Sequence, residues 1–448
     1  MLVGLALLAG AAGCNSFLDS PTAVNDPNAP TTANRNTLFP GAAANLMDFQ
    51  EGGVAMLVCE WMQQCAGQSG RFVDVFDKYG VNGSSFDFTF NNIYAGGGLI
   101  ALRDIQASAT ADNDLVSRGV AEVMEAMNMM WAADMLGALP YSEFEVGKTD
   151  AAFDGQMSIY AQLQTLLDKA ITDLAGAGAG PSRFDIFYGG DKTKWTKLAH
   201  NLKARIALHT AEKLGGPAPY TLALAQANLG INAADGSDDF LASHTANTSE
   251  RNLWHQFQLS SFGADLVAGA RLVDLMKAQG DPRLPEYFGK NQNGGYGGQD
   301  PLGVAGPNDI SPIAGSERVD NPVFRQPFVT WEETQLIKAE ASFVLSGAAA
   351  AQPFLDAVRA KYGKAPVPAT LQSIMEEKYI NLYQNVETWN DFKRTCFPRL
   401  VPTQTSFTAI PGRIPYWDTE KQTNPNIPGE APLQTARNEN DPNPCPTS

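Results

Sequence analysis

The 448-residue chain carries 48 acidic against 32 basic residues, a formal charge of −16. That balance repels phosphate backbones and argues against nucleic acid as a partner. A hydrophobic content of 44% suits a globular protein, and the length exceeds what one small core can use.

The first stretch, LALLAGAAGC (residues 5–14), is small and oily and stops at Cys14. The run from Leu2 to Gly13 is too short to span a bilayer, which takes about 20 apolar residues. Its length and small-residue ending match the h-region and cleavage site of a secretory signal over residues 1–13. Ala12 and Gly13 directly before a cysteine add the pattern of a bacterial lipobox, in which Cys14 carries the lipid. An ordinary cleaved signal is the alternative. Residues 14–37 are rich in Pro, Asn and Thr and read as an irregular arm.

Leu38 to about Gly67 reads as one long helix, and 70–95 as an aromatic-dense loop region leading into another. Within it Phe86, Phe88 and Phe90 alternate, which by itself favours a half-buried strand. Ile159, Leu163, Leu166, Leu167, Ala170, Ile171 and Leu174 repeat at the spacing of one buried helical face. Asp191 is placed to cap the next helix, whose apolar stripe is Trp195, Leu198, Ala199, Leu202 and Ile206. Lys192, Lys194, Lys197, Lys203 and Arg205 lie mostly off that stripe, giving a basic helix in an acidic protein. Further amphipathic helices are expected near 113–136, 262–279, 331–346, 350–361 and 370–396. The intervals 280–330 and 397–448 are rich in Gly, Pro and Asn, and loops that long are functional or disordered. The class is mainly α, with helix hairpins and long irregular loops.

Four cysteines follow Cys14, an even number for an oxidising compartment. On one straight helix, six residues put Cys59 and Cys65 roughly 9 Å apart, too far for a disulfide. Either they are separate buried thiols or the helix breaks between them. Cys396 with Cys445, pinning a Pro-rich tail, is the better bridge. No CxxC is present, which argues against zinc.

Motifs for catalysis are missing: no GxSxG, HExxH, Walker A or strand-following GxGxxG occurs. The four histidines are few and scattered, and His200 and His209 read as surface or capping residues. Glu332, Glu333, Glu376 and Glu377 are tempting carboxylate pairs, but neighbours on a helix point apart, and solvated faces explain them better. The acidic clusters 111–114 and 235–240 fail the EF-hand pattern and leave room only for a loosely bound calcium. No other cofactor is expected, and the chain does not read as an enzyme. Aromatic residues beside Asn and Asp suit a sugar site, because pyranose C–H faces stack on rings while hydroxyls need side-chain partners. The candidates are Phe72, Phe76, Tyr79, Asn82, Phe86, Trp254, Asn293 and Tyr296.

Several stretches together resemble the SusD/RagB family of outer-membrane nutrient-binding lipoproteins. They are CNSFLDSPTAVNDPN, WAADMLGALPYSEF (131–144), FDGQMSIYAQLQTLLDKAITDL and FDIFYGGDKTKWTKLAHNLKARIALH, followed by GDPRLPEYF (280–288), WEETQLIKAEASFVLSG (331–347) and EEKYINLYQNVETWNDFKRTCFPRL (376–400). Their order along nearly the whole chain carries the resemblance. It implies a scaffold of tetratricopeptide-like helix pairs over 38–448 in a single domain, with irregular loops bearing the ligand site. It also implies a surface lipoprotein, anchored at Cys14, that captures oligosaccharide for a SusC-like TonB-dependent transporter barrel. The family's ligand loop corresponds to 70–95 here, which favours Phe72, Phe76 and Tyr79. Trp195, Asn201, Arg205, Trp389 and Arg394 match positions that are structural in that family. A peptide- or protein-binding scaffold of the same complex is the alternative function.

Overall fold

The structure, a computed structural model, describes residues 34–303 and 305–445. The signal, Cys14 and most of the arm lie outside these residues. Helices of eight residues or more are α1 (Arg35–Glu51), α2 (Gly53–Trp61), α3 (Asp87–Tyr94), α4 (Leu99–Ala111), α5 (Leu115–Leu136), α6 (Gln156–Leu174) and α7 (Lys192–His209). They continue with α8 (Ala218–Ala227), α9 (Ala270–Ala278), α10 (Trp331–Ser346), α11 (Ala348–Lys361), α12 (Leu371–Asn381) and α13 (Glu387–Thr395). The strands are short: β1 (Cys65–Gly67) pairs antiparallel with β3 (Leu266–Ala268), and β2 (Phe240–Leu241) with β4 (Pro327–Val329). The fold is mainly α, as its sequence pattern implies.

Successive helices pack as a running series of pairs, α4 on α5, α5 on α6, α6 on α7, α7 on α8, and α10 on α8, α11 and α12. The buried stripe of α6 is Ile159, Leu163, Leu167, Ala170 and Leu174. It approaches α5 closely at Gly119, where a Cβ would stand 2.8 Å from the Leu174 side chain and 3.0 Å from the Ala170 carbonyl. Asp191 caps α7 as expected, accepting from the Thr193 and Lys194 amides. Four local expectations fail. The helix expected over 262–279 is confined to Ala270–Ala278, because Leu266–Ala268 pair with β1 as β3. The long helix over 38–67 breaks at Gly52, in extended backbone between α1 and α2. The Phe86–Phe90 stretch enters α3 rather than a strand. The helix expected over 370–396 is two, α12 and α13, separated by a turn. The chain also breaks after Trp61, bringing the Cα atoms of Cys59 and Cys65 to 5.1 Å in a disulfide. Cys396 and Cys445 form the second bridge, also at 5.1 Å.

Ion pairs run through the packed helices. Arg205 of α7 is buried and grips both oxygens of Glu333 in α10, at 2.6 Å each. Arg394 of α13 holds Glu340 and Asp391, and Lys378 of α12 reaches Asp391 at 2.9 Å. Arg283, Arg359 and Lys364 converge on Glu377 at 2.6, 2.9 and 2.8 Å. Glu332 pairs with Lys361 at 2.6 Å. Glu332, Glu333 and Glu377 are therefore not a solvated face; each is paired with basic side chains from other segments. Only Glu376, bonded to Gln372, remains partly open. The family-like positions are structural, with Trp195, Asn201, Arg205 and Trp389 all buried and the Arg394 side chain enclosed.

His209 is likewise neither surface nor cap. Its Nδ1 lies 3.0 Å from Asp134 and its Nε2 2.7 Å from Glu387. Burial opposes the imidazolium, but the two carboxylates outweigh it and raise the pKa to about 10. The ring is a buried cation clamped between two anions. Nε2 bonds Glu387 and Nδ1 stands at ion-pair distance from Asp134, so Asp134, His209 and Glu387 form a buried ion triad.

A histidine raised from 6.5 to about 10 on folding contributes stability that is complete below about pH 6.5 and is lost as pH rises through about 10. Thermal melts should therefore show wild type losing stability faster than His209→Gln across that window, with the variant about 3–5 kcal/mol less stable at neutral pH. Parallel pH profiles would refute the clamp. The second bridge closes 49 residues of chain, so Cys445→Ser should cost about 2–4 kcal/mol in denaturant titrations under oxidising conditions.

Candidate functional site

Four segments far apart in sequence meet around a cleft of about 380 Å³. The turn into β1 supplies Gln63 and Cys65, and α9 supplies Ala270, Arg271 and Asp274. The loop 299–302 gives Gln299, Asp300, Pro301 and Leu302, and the segment 399–403 gives Arg399, Val401 and Thr403. The volume falls in the range of small-molecule sites.

Backbone pairing fixes these walls. Cys65 stands opposite Ala268 in the β1–β3 ladder, with the Cys59 disulfide behind it. The Gln299 amide donates to the Ala268 carbonyl at 2.8 Å, and the Ala270 amide to Gln299 at 3.0 Å. That contact needs glycine next door: a Cβ on Gly298 would lie 2.3 Å from the Ala270 nitrogen. Across the cleft, Gln63 Nε2 donates to the Val401 carbonyl at 2.5 Å, and the Thr403 amide to the Tyr79 hydroxyl at 2.9 Å.

Beneath this wall Asp77 accepts from the Gly67 amide at 3.0 Å. Burial raises its pKa to about 6, against the lowering effect of that amide and of Glu60. Burial also holds Glu60 well above the usual carboxylate range, with Asp77 adding to the rise. The two form a buried acidic pair behind the cleft, not in it.

The cleft itself offers two kinds of surface. Leu302 and Val401 are about half exposed, at 53% and 49%, and supply an apolar patch. Arg271, Asp274 and Arg399 supply charged planar groups that match hydroxyls, carboxylates or amides of a bound molecule. Asp300 Oδ1 is used locally, accepting from the Leu302 amide at 2.9 Å.

The aromatic residues expected to bind ligand are placed otherwise. Phe72, Phe76, Tyr79 and Trp254 are all buried, at 3% exposure or less. Phe72 meets Phe76 and Phe257 edge-on, Phe76 lies against Phe86, and Tyr79 packs on Trp61 and Phe407. Those rings have no face left for a sugar, so these four are corrected to core positions. Tyr79 looked hard to bury in its polar turn. It is buried because a positive φ of 55° turns it inward and Thr403 meets its hydroxyl.

Asn82 and Phe86 line a narrow apolar slot of about 20 Å³, scarcely room for one water. Asn82 also borders a polar pocket with Arg413, Asp418, Lys421 and Glu430. Asn293 is exposed and donates to Asp309 at 2.7 Å. Tyr296 is half-buried on the loop that leads to Gln299, its carbonyl held by Lys277 at 3.1 Å. The eight candidates thus do not form one site. Arg271, Asp274, Gln299 and Arg399 are not among the candidates; the long loops 280–330 and 397–448 point only toward Gln299 and Arg399, whereas Arg271 and Asp274 lie where a helix is expected.

The acidic clusters considered for calcium have internal partners. Asp112 and Asp114 pair with Arg35, Asp238 with Lys197, and Asp239 accepts from the Trp331 amide.

A sequence profile for SusD-like proteins, described as "starch-binding associating with outer membrane", matches residues 27–344 and 342–417. The chain belongs to the SusD-like family. No curated protein matches it in sequence. Among solved structures, a chitin-binding SusD homolog from Flavobacterium johnsoniae superposes with a TM-score of 0.75 at 20% identity, covering 90% of this chain and 98% of that one. A chitin-binding protein gives 0.73 at 23% identity, over 90% and 99% of the two chains. A SusD-like protein from Bacteroides thetaiotaomicron gives 0.72 at 19%, over 87% and 93%. At these identities the likeness establishes the SusD-like fold. No described helix is long and apolar enough to cross a membrane.

Because the Tyr79 ring is core, Tyr79→Ala should cost about 3–5 kcal/mol in chemical denaturation. Tyr296→Ala should cost far less. Equal costs for the two would contradict the burial difference.

Proposed function

We propose that this protein captures an oligosaccharide in the cleft between β1, α9, the 299–302 loop and the 399–403 segment. It then passes the sugar to a TonB-dependent outer-membrane transporter. The observation that carries the reading is the cleft's lining, where the exposed side chains of Leu302 and Val401 stand beside Arg271, Asp274 and Arg399. A sugar needs that mixture: a flat apolar contact for C–H groups and planar polar groups for hydroxyls. The family is described as starch-binding, and two of the similar structures are of chitin-binding proteins. Lipidation at Cys14 would tether the chain to the outer membrane, and dual acylation gives stable anchoring. The reading involves capture without turnover, so no catalytic residue is assigned.

The peptide-scaffold alternative needs a groove open between helix pairs. The facing sides of α7, α8 and α10 instead close on one another through Ala204, Ala207, Leu208, Ala223, Ala227 and Ile337. That observation favours the loop cleft.

The test is a glycan array followed by calorimetry on the chain beginning at Asn15. Saturable binding in the micromolar range is expected, weakened about tenfold in a Gln299→Ala, Leu302→Ala double variant, equivalent to about 1.4 kcal/mol. Retention of no glycan, or full binding by the double variant, would remove the cleft from consideration.

A further inference from the structure

Several guanidinium groups inside this protein have carboxylate partners. Arg205 holds Glu333, Arg283 holds Asp281 and Glu377, Arg318 holds Glu286, and Arg394 holds Glu340 and Asp391. Arg437, away from the cleft lining, closes no ion pair among the described residues, and neither does Arg271 in the wall of the cleft. Arg271 is partly buried, and its Nε is enclosed without a hydrogen-bond partner. The chain has acids to spare, 48 against 32 basic residues, so an unpaired guanidinium is not forced by composition.

The nearby carboxylates do not fill the role. Asp274 follows Arg271 by three residues on α9 and is exposed. A cation N-terminal to an anion is the less favourable order on a helix. Asp300 faces its own turn through the Leu302 amide. On another wall Arg399 is exposed, with Phe397 as its close aromatic neighbour at 5.2 Å and no ion pair among the described residues. The cleft therefore holds two unpaired cations. One of them is partly desolvated and lacks a carboxylate, which an anion entering the cleft would supply.

We propose that the cleft selects an acidic oligosaccharide, one bearing a carboxylate or a sulfate ester. Arg271 binds the anionic group, and Arg399 is a second cation at the rim. This rests on the glycan reading above and narrows it, since the similar structures include chitin-binding proteins and chitin is a neutral polymer. The guanidinium fork meets two anion oxygens at once, which an ammonium does not reproduce.

The experiment compares wild type, Arg271→Gln and Arg271→Lys on an array of neutral, uronate-bearing and sulfated oligosaccharides. Hits are then titrated by calorimetry at low and high salt, and melting curves check that each variant is folded. Acidic glycans should be retained in preference to neutral ones, with affinity falling as salt rises. Arg271→Gln should weaken their binding about tenfold or more, and Arg271→Lys by less. Whether uronate or sulfate members bind identifies the source of the charge. Neutral glycans bound as well as acidic ones, or acidic binding untouched in both variants, would overturn the acidic assignment while leaving glycan capture standing. Retention of no glycan of any class would overturn both.

Discussion

Charge pairing between helices remote in sequence is the constraint on which this structure depends. Apolar burial drives the helices together, but it is non-directional and tolerates many arrangements. A buried guanidinium does not. Arg205 finds Glu333 across 128 positions of sequence, and His209 finds Glu387 across 178. Leaving either partner alone in the interior costs about 3–5 kcal/mol, so slipping α7 against α10 or α13 is penalised severely. Amides complete the arrangement: Asn201 joins Thr334 to the Ile231 backbone, and Asn390 bonds both Asp134 and Glu387. Register, more than net stability, is what these pairs supply.

A scaffold fixed in this way can carry irregular segments without losing their positions. Two of the cleft's four walls are irregular segments, yet they are tied down at each step. The β1–β3 ladder sets the floor, the Gln299 backbone pairs with both Ala268 and Ala270, and Gln63 reaches over to Val401. The Tyr379 hydroxyl donates to the Met62 carbonyl at 2.7 Å, fastening the turn before β1 to α12. The ionic core and the loops are thus mechanically joined. A binding site gains from this because side chains held by their surroundings lose little freedom when ligand arrives.

The sequence made the helices legible wherever a local signal exists. The 3.6-residue stripe of α6 and the Asp191 cap are properties of adjacent residues, and both are found in place. It misled where the deciding partner is distant. Glu333 looks solvated until Arg205 is brought beside it, and His209 looks like a terminal histidine until Asp134 and Glu387 close on it. The alternating phenylalanines at 86, 88 and 90 suggest a strand, but the backbone closes its own hydrogen bonds in α3. The break after Trp61 that lets Cys59 meet Cys65 is set by the β1–β3 pairing, which no local pattern encodes. The site was least legible because aromatic density is common to cores and sugar sites. Phe72, Phe76 and Tyr79 are dense because they pack on one another and on Trp61, whereas the cleft is lined by residues ordinary in isolation.

A formal charge of −16 makes this chain an improbable host for an anion only if charge acts at long range. It does not. At physiological ionic strength the screening length is about 8 Å, so acids on other faces contribute little to the potential inside the cleft. Many of the buried acids are neutralised where they stand: Asp281 and Glu377 by Arg283, Arg359 and Lys364, and Glu340 by Arg394. What a ligand meets is the local inventory of the four wall segments. The same overall charge that argues against an extended polyphosphate lying across the surface is therefore compatible with a single carboxylate or sulfate entering one cleft. The unpaired guanidinium of Arg271 is informative because it lines the cleft with its Nε enclosed and without a hydrogen-bond partner.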